Sequence, residues 1–232
     1  MAEQTISEYA KNHRLDCWYK NVCSEEICRD SCTRFKEMSE LLKYSGIPPA
    51  QQVPITLRPW NDHDKNAFTR LKAIQNTIVD YVEAGNNLYI CSENPGNGKT
   101  SWSLKLMLRY FDRIWMGNGY RVRGVFVHVP TFLTKLKNFN YPLSEEYKQN
   151  LLDADLVIWD DIASTNLSNY DYSQLLIYID NRLFNKRANI YTSNITDKNK
   201  LISIMGDRLA SRIYTNSEVV EFIGKDWRSM KE

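Results

Sequence analysis

The chain has 232 residues, 43% of them apolar and 25% charged, and a formal net charge of +2. That length holds one α/β domain plus a small appendage and excludes a second large domain, while the near-neutral charge leaves any nucleic-acid contact to a local patch. No apolar run approaches the ~20 residues needed to cross a bilayer, and Met1-Ala2-Glu3-Gln4 lacks the basic-then-apolar layout of a secretory signal, so the chain reads as cytoplasmic with no membrane partner.

Residues 1–44 are polar, mostly helical in pattern and rich in cysteine, and too few for a stable core without a staple. Residues 45–66 read as a linker, because Gly46, Pro48, Pro49 and Pro54 suit neither a helix interior nor a central strand. Residues 67–232 then alternate between helical and strand patterns, the order that yields a parallel sheet covered on both faces. In that stretch Leu71 to Val82 has helical spacing with Gly85 as its stop, and Leu88–Ser92 is the first strand. Helix Ser101–Tyr110 follows, then strand Gly124–Val129, helices Pro130–Lys137 and Ser144–Leu152, and strand Leu156–Trp159. The pattern closes with helix Tyr172–Phe184, strand Asn189–Thr192, helix Asp197–Ile204 and strand Val219–Ile223.

Between the first strand and the next helix lies Glu93-Asn94-Pro95-Gly96-Asn97-Gly98-Lys99-Thr100. Strand, Gly-rich loop and helix in that order form a phosphate cradle, in which backbone N–H groups turn toward an anion. Lys99 supplies a point charge and Thr100 a hydroxyl for Mg²⁺. The expected nucleotide-binding set is Asn94, Pro95, Gly96, Asn97, Gly98, Lys99, Thr100 and Ser101, with ATP as the cofactor. Glu93 stands where the pattern's first glycine belongs, so another residue must make the preceding turn.

Leu156-Val157-Ile158-Trp159 forms a buried strand with Asp160 and Asp161 at its C-terminal end, the edge where open parallel sheets bind ligands. Asp160 is expected to hold Mg²⁺, and Asp161 to orient or deprotonate the attacking water. A solvated strand-to-loop turn is the plainer alternative for the pair. Asp is one methylene shorter than the Glu often found at the second position, which implies slow hydrolysis.

Tyr191-Thr192-Ser193-Asn194 ends the next strand, where Asn194 would hold the γ-phosphate or the water if that strand lies beside the phosphate strand; alternatively it caps the following helix. In Gly206-Asp207-Arg208-Leu209-Ala210-Ser211-Arg212 two arginines lie four apart, on one helical face. Arg212 is expected to complete a neighbouring subunit's site and stabilise transition-state charge, making the protein a homo-oligomer. Arg228, in Asp226-Trp227-Arg228, would return a cis arginine toward the phosphates.

Together GNGKT, LVIWDDI, YTSN, GDRLASRI and KDWRS resemble the motifs of the AAA+ ATPases that load replicative helicases, the DnaC/DnaI-like group, with phage-encoded members the nearest. The resemblance covers roughly residues 50–232. It implies a P-loop AAA+ core, a parallel sheet flanked by helices and without a helical lid, joined to a small Cys-rich N-terminal domain. In the family's terms the motifs are Walker A, Walker B, sensor 1 at Asn194, an arginine finger at Arg212 and a sensor-2-like Arg228. The implied partners are a hexameric replicative helicase and single-stranded DNA in a bacterial host. The implied activity is ATP-dependent helicase loading during the initiation of DNA replication.

The resemblance also implies a DNA-touching helical element after the second strand. Lys135 and Lys137 interleaved with Phe139 and Tyr141 suit backbone neutralisation and base stacking, while an amphipathic helix burying Phe132, Leu133 and Leu136 is the alternative. Arg121 and Arg123 either extend that patch or are loop charges. Cys17, Cys23, Cys28 and Cys32 fall within one short stretch, and four thiolates suit a stapling Zn²⁺, with His13 as a substitute ligand and a mini-core as the alternative. The resemblance places helicase docking in this region, where Trp18 and Tyr19 are candidate contacts. Two other functions fit the same motifs: a transposition helper ATPase of the IstB type, and an interaction protein that binds nucleotide without turnover.

Overall fold

A computed structural model of the chain describes residues 8–11, 17, 21, 23, 28–59, 64–116, 121–138, 143–164 and 166–224. Its elements in order are α1 (Glu8–Lys11), α2 (Thr33–Tyr44), α3 (Lys65–Asn76), α4 (Ile78–Glu83), β1 (Asn87–Cys91), α5 (Lys99–Ile114), β2 (Gly124–His128) and α6 (Val129–Leu136). They continue as α7 (Glu145–Asp153), β3 (Leu156–Asp160), α8 (Asn169–Phe184), β4 (Ala188–Ser193), α9 (Lys198–Met205), α10 (Asp207–Ala210) and β5 (Ser217–Glu221). Every strand pairing is parallel, in the order β2-β3-β4-β1-β5. All five strands therefore end on one edge, which carries Cys91, His128, Asp160, Ser193 and Glu221.

Alternate strand residues feed two cores. Leu88, Ile90, Phe126, Ile158, Ile190 and Val220 pack under α2, α3, α4 and α5; Tyr89, Val125, Val127, Val157, Trp159 and Tyr191 pack under the helices from α6 to α10. Burial on both faces explains why the inner strands β1 and β3 read as apolar runs rather than alternating ones.

Two parts of the chain depart from expectation. The single helix expected over Leu71–Val82 is two, α3 and α4, with Thr77 between them. The Thr77 hydroxyl donates to the Ala73 carbonyl at 3.2 Å, and its N–H is shared between the carbonyls of Ala73 and Ile74, a side-chain competition that loosens helix geometry. Gly85 ends the second helix as expected, with φ +69°, and a Cβ there would stand 2.4 Å from the Lys186 carbonyl oxygen.

The segment read as a linker is packed over much of its length. Ser45, Ile47 and Gln52 are buried, and the Ser45 carbonyl accepts from Phe126 N–H at 2.6 Å. Because β2 is an outer strand, that contact satisfies part of an edge left open by the sheet. Residues Phe35, Met38, Leu41, Leu42 and Ile47 share one apolar cluster with α3, α4 and α5. Arg34, buried on α2, reaches Asp112 on α5 at 3.2 Å. Among the described residues no helix is long and apolar enough to cross a membrane.

Candidate functional site

The Gly-rich loop leaves β1 at the sheet's C-terminal edge and enters α5, a helix of 16 residues whose N-cap is Gly98 at φ +96°, a left-handed position that disfavours any Cβ. Ser92 makes the turn that lacks its usual glycine. Its hydroxyl accepts from Asn94 N–H at 3.2 Å and from the Asn97 side-chain amide. Lys99 curls back, donating to the Asn94 carbonyl at 3.1 Å and to Asn97 Oδ1 at 3.3 Å. Glu93 turns aside to accept from Thr196 Oγ1 at 3.4 Å, so its charge faces the loop after β4.

The Asp pair comes next to this loop because β4 separates β1 from β3 by only one strand. Thr100 Oγ1 donates to Asp160 Oδ1 at 2.7 Å, and Thr192 Oγ1 donates to the same oxygen at 2.7 Å. Burial pushes the Asp160 carboxyl above its ordinary range, opposed by the hydroxyls of Thr100 and Thr192; Asp161 adds to the rise and His128 opposes it. Thr192 also accepts from Asp161 N–H at 3.0 Å, while Ile162 N–H donates to the Thr192 carbonyl and Ser193 Oγ to the Ile162 carbonyl, each at 2.9 Å. Those contacts fix Asp161 in the left-handed region at φ 57°, a conformation Asp tolerates better than most residues.

Asp160 Oδ1 and the Thr100 hydroxyl are hard oxygen donors 2.7 Å apart beside a phosphate cradle, so the residues fit Mg²⁺. His128, register partner of Asp160, closes the group: its Nε2 stands 3.6 Å from Asp161 Oδ2, and its Nδ1 meets Thr131 Oγ1 at 2.8 Å. Among the described residues, His128, Asp160 and Asp161 form the single cluster of three metal-capable side chains.

Asn194, directly after β4, is exposed on the edge between the strand of the loop and the strand of the Asp pair, as the sheet order required. Arg212 lies elsewhere. It sits in a π-helical turn, Ser211–Thr215, that precedes β5, so it is toward the edge where strands begin. There its Nε donates to Asp180 and its Nη1 to the Arg208 carbonyl at 3.0 Å. It lines a groove of about 730 Å³ with Ile177, Phe184 and Asn216.

The last described residues, 222–224, lie beside the phosphate loop. Asn94 Nδ2 donates to the carbonyls of Ile223 and Gly224 at 3.2 and 3.1 Å. Buried Asp64 accepts from both N–H groups of the same pair at 2.8 and 3.2 Å. Arg228 itself, Phe139, Tyr141, His13, Trp18 and Tyr19 lie outside the described residues.

On α6, Phe132 and Leu133 are buried and Lys135 and Lys137 exposed, the amphipathic division weighed above; Lys137 also pairs at 2.7 Å with Asp171 at the start of α8. Arg121 and Arg123 do not extend a patch there. Both bind Asp155, which precedes β3 at the opposite edge and also meets Arg187 at 2.7 Å. Of the cysteines, Cys17 and Cys28 are buried, Cys32 is half-buried and Cys23 exposed. Cys28 Sγ accepts from Arg34 Nη1 at 3.9 Å, and burial pushes its thiol up. The zinc expectation finds no ligand cluster among the described residues.

Ser92, Thr192, His128 and Asp64 escaped sequence reading. Thr192 alone had an available signal, since it lies in the quoted YTSN run and a parallel register would set it beside Asp160.

No protein-family model and no curated protein matches the sequence. Solved structures do match in fold. The DnaC helicase loader is 21% identical with a TM-score of 0.62, over 72% of this chain and 93% of that one. A putative primosome component from Streptococcus pyogenes serotype M3 is 18% identical with a TM-score of 0.56, over 81% and 97%. AMPPCP-bound DnaA from Aquifex aeolicus is 16% identical with a TM-score of 0.55, over 74% and 49%. The parallel five-stranded sheet flanked by helices is thus the fold of the DnaC helicase loader and of DnaA.

Proposed function

We propose that this chain is an ATP-dependent loader that places a replicative helicase on single-stranded DNA when replication begins. The observation that carries the ATPase part is the 2.7 Å contact of Thr100, at the end of the phosphate loop, with Asp160 on the Asp strand two places away in the sheet, beside a loop whose lysine is held over its own backbone. The loading part is supported by the similarity in fold to a protein named as a helicase loader.

In this reading backbone N–H groups from Gly96 to Thr100 and the Lys99 ammonium hold the phosphates. Lys99 exchanges its contacts with Asn94 and Asn97 for phosphate oxygens. Thr100 and Asp160 hold Mg²⁺, which when bound neutralises charge on the transferring phosphoryl group. Asp161 accepts the proton of the attacking water, and Asn194 orients that water. Arg212, remote from its own phosphate loop, leaves Asp180 to serve a neighbouring subunit, and Arg228 returns toward the phosphates in cis. Lys135 and Lys137, with Phe139 and Tyr141, contact DNA, and residues 1–44 engage the helicase.

The test combines nucleotide turnover with helicase delivery. Wild-type protein is expected to hydrolyse ATP faster with single-stranded DNA and to capture a hexameric replicative helicase. Lys99→Ala is expected to lose nucleotide binding and both outputs. Absence of turnover with wild-type protein in every condition would leave a nucleotide-binding interaction protein, and capture of a transposase instead of a helicase would reverse the assignment.

A further inference from the structure

We propose that His128, Asp160 and Asp161 form a second divalent-cation site that takes a first-row transition metal, separate from the Mg²⁺ that accompanies ATP. One ligand atom from each residue lies within 4.8 Å of the other two. Bonds of about 2.1 Å place ligands on one ion roughly 3 to 4 Å apart, so rotamer adjustments of under about 1 Å bring the three together. Asp161 and His128 are each about two-fifths exposed (40% and 42%), which gives an ion an entry path and leaves positions for water.

The imidazole sets the class of ion. Mg²⁺ demands oxygen ligands and dehydrates reluctantly, whereas an imidazole nitrogen favours first-row transition metals, with affinity weakest at manganese, rising to copper and falling back at zinc. The His128 ring is also oriented as a metal-bound histidine is, with its other nitrogen, Nδ1, held at 2.8 Å by a hydroxyl from outside the cluster, that of Thr131. Asp160 presents Oδ1 to Thr100 and Thr192, and a carboxylate has a second oxygen with which to face His128. In this proposal the Mg²⁺ beside Thr100 and the ion beside His128 would bind different oxygens of the same carboxylate.

The consequence for turnover rests on the function proposed above. An ion held by Asp161 removes the carboxylate that would accept the water proton, so occupancy inhibits hydrolysis. Binding itself requires no nucleotide, which separates failure of this proposal from failure of the ATPase reading.

The probe is Mn²⁺, titrated into untagged, nucleotide-free, full-length protein with millimolar Mg²⁺ present, and followed by electron paramagnetic resonance. The expected result is one bound Mn²⁺ whose pulsed spectrum carries ¹⁴N coupling from an imidazole. His128→Gln should bind at least tenfold more weakly and lose the ¹⁴N signal. Asp161→Asn should weaken binding while any remaining bound ion keeps that signal, and Lys99→Ala should leave the site intact. Thermal unfolding of each variant establishes that it is folded. The proposal is overturned if wild-type protein binds no Mn²⁺ above Mg²⁺ competition, or if ¹⁴N coupling persists in His128→Gln, since the chain's other two histidines would then be its source.

Discussion

Replacing Thr192 by Val removes one hydroxyl and changes little else in shape, so it isolates what that hydroxyl does. The oxygen is fully buried, donates to Asp160 at 2.7 Å and accepts from Asp161 N–H at 3.0 Å. A hydrogen bond to a charged group contributes about 1.5–3 kcal/mol, and a stranded backbone N–H in a half-buried position adds a smaller cost, so the loss should total about 2–3 kcal/mol. For a chain of this length that lowers Tm by about 4–12 °C. The Asp160 carboxyl, already raised by burial, keeps Thr100 as its remaining hydroxyl donor and should rise further. Turnover should suffer more than stability does, because Asp161 loses an anchor of its left-handed turn and an ångström of misplacement costs on the order of 10²-fold. Nucleotide affinity should change little, since the Thr192 hydroxyl bonds Asp160 and Asp161 rather than the phosphate loop. Urea denaturation, nucleotide titration and steady-state turnover on Val and Ser variants check all three. A Val variant with an unchanged denaturation midpoint and wild-type turnover would refute the assigned role, and Thr192→Ser should recover most of both.

Asp171 closes a capping box with Ser168 at the start of α8. Burial raises its carboxyl, but Lys137, the Ser168 hydroxyl and the Ser168 N–H together hold it below the ordinary carboxylate range. Its stabilisation is therefore complete above the unfolded pKa of about 3.9 and disappears as pH falls through the lower folded value. Asp171→Asn should cost about 1–2 kcal/mol at pH 7, and denaturation midpoints measured down to pH 2.5 should converge with wild type. Gly85→Ala forces a Cβ against the Lys186 carbonyl at positive φ and should cost about 1–3 kcal/mol, read by thermal unfolding. Arg212→Ala should bind nucleotide normally yet lose about 10³-fold in turnover at concentrations that permit assembly; full turnover there would end its assignment to a neighbouring site.

What could be read from the chain depended on whether a residue's role was local. Lys99 and Thr100 declare themselves because a phosphate loop is a contiguous device, and Asp160-Asp161 because a buried strand ending in carboxylates is one too. The packed seam is different. Its prolines and glycine allow only a 3-10 turn, Pro49–Gln51, but Ser45 is buried because β2 has an open side, a property of strand order that composition does not carry. The break at Thr77 turns on one back-bonded hydroxyl, invisible to apolar spacing. Thr192 and His128 look like an ordinary β-branched core residue and an ordinary strand end. They become site residues only when the parallel ladders set His128 opposite Asp160 and place β4 beside β3. Once one strand of a parallel sheet carries a recognised acidic pair, the residues most informative about its chemistry are those that its two neighbours bring to the same level. That step needs register, which long-range pairing decides, and so it is the step at which reading motif by motif stops short.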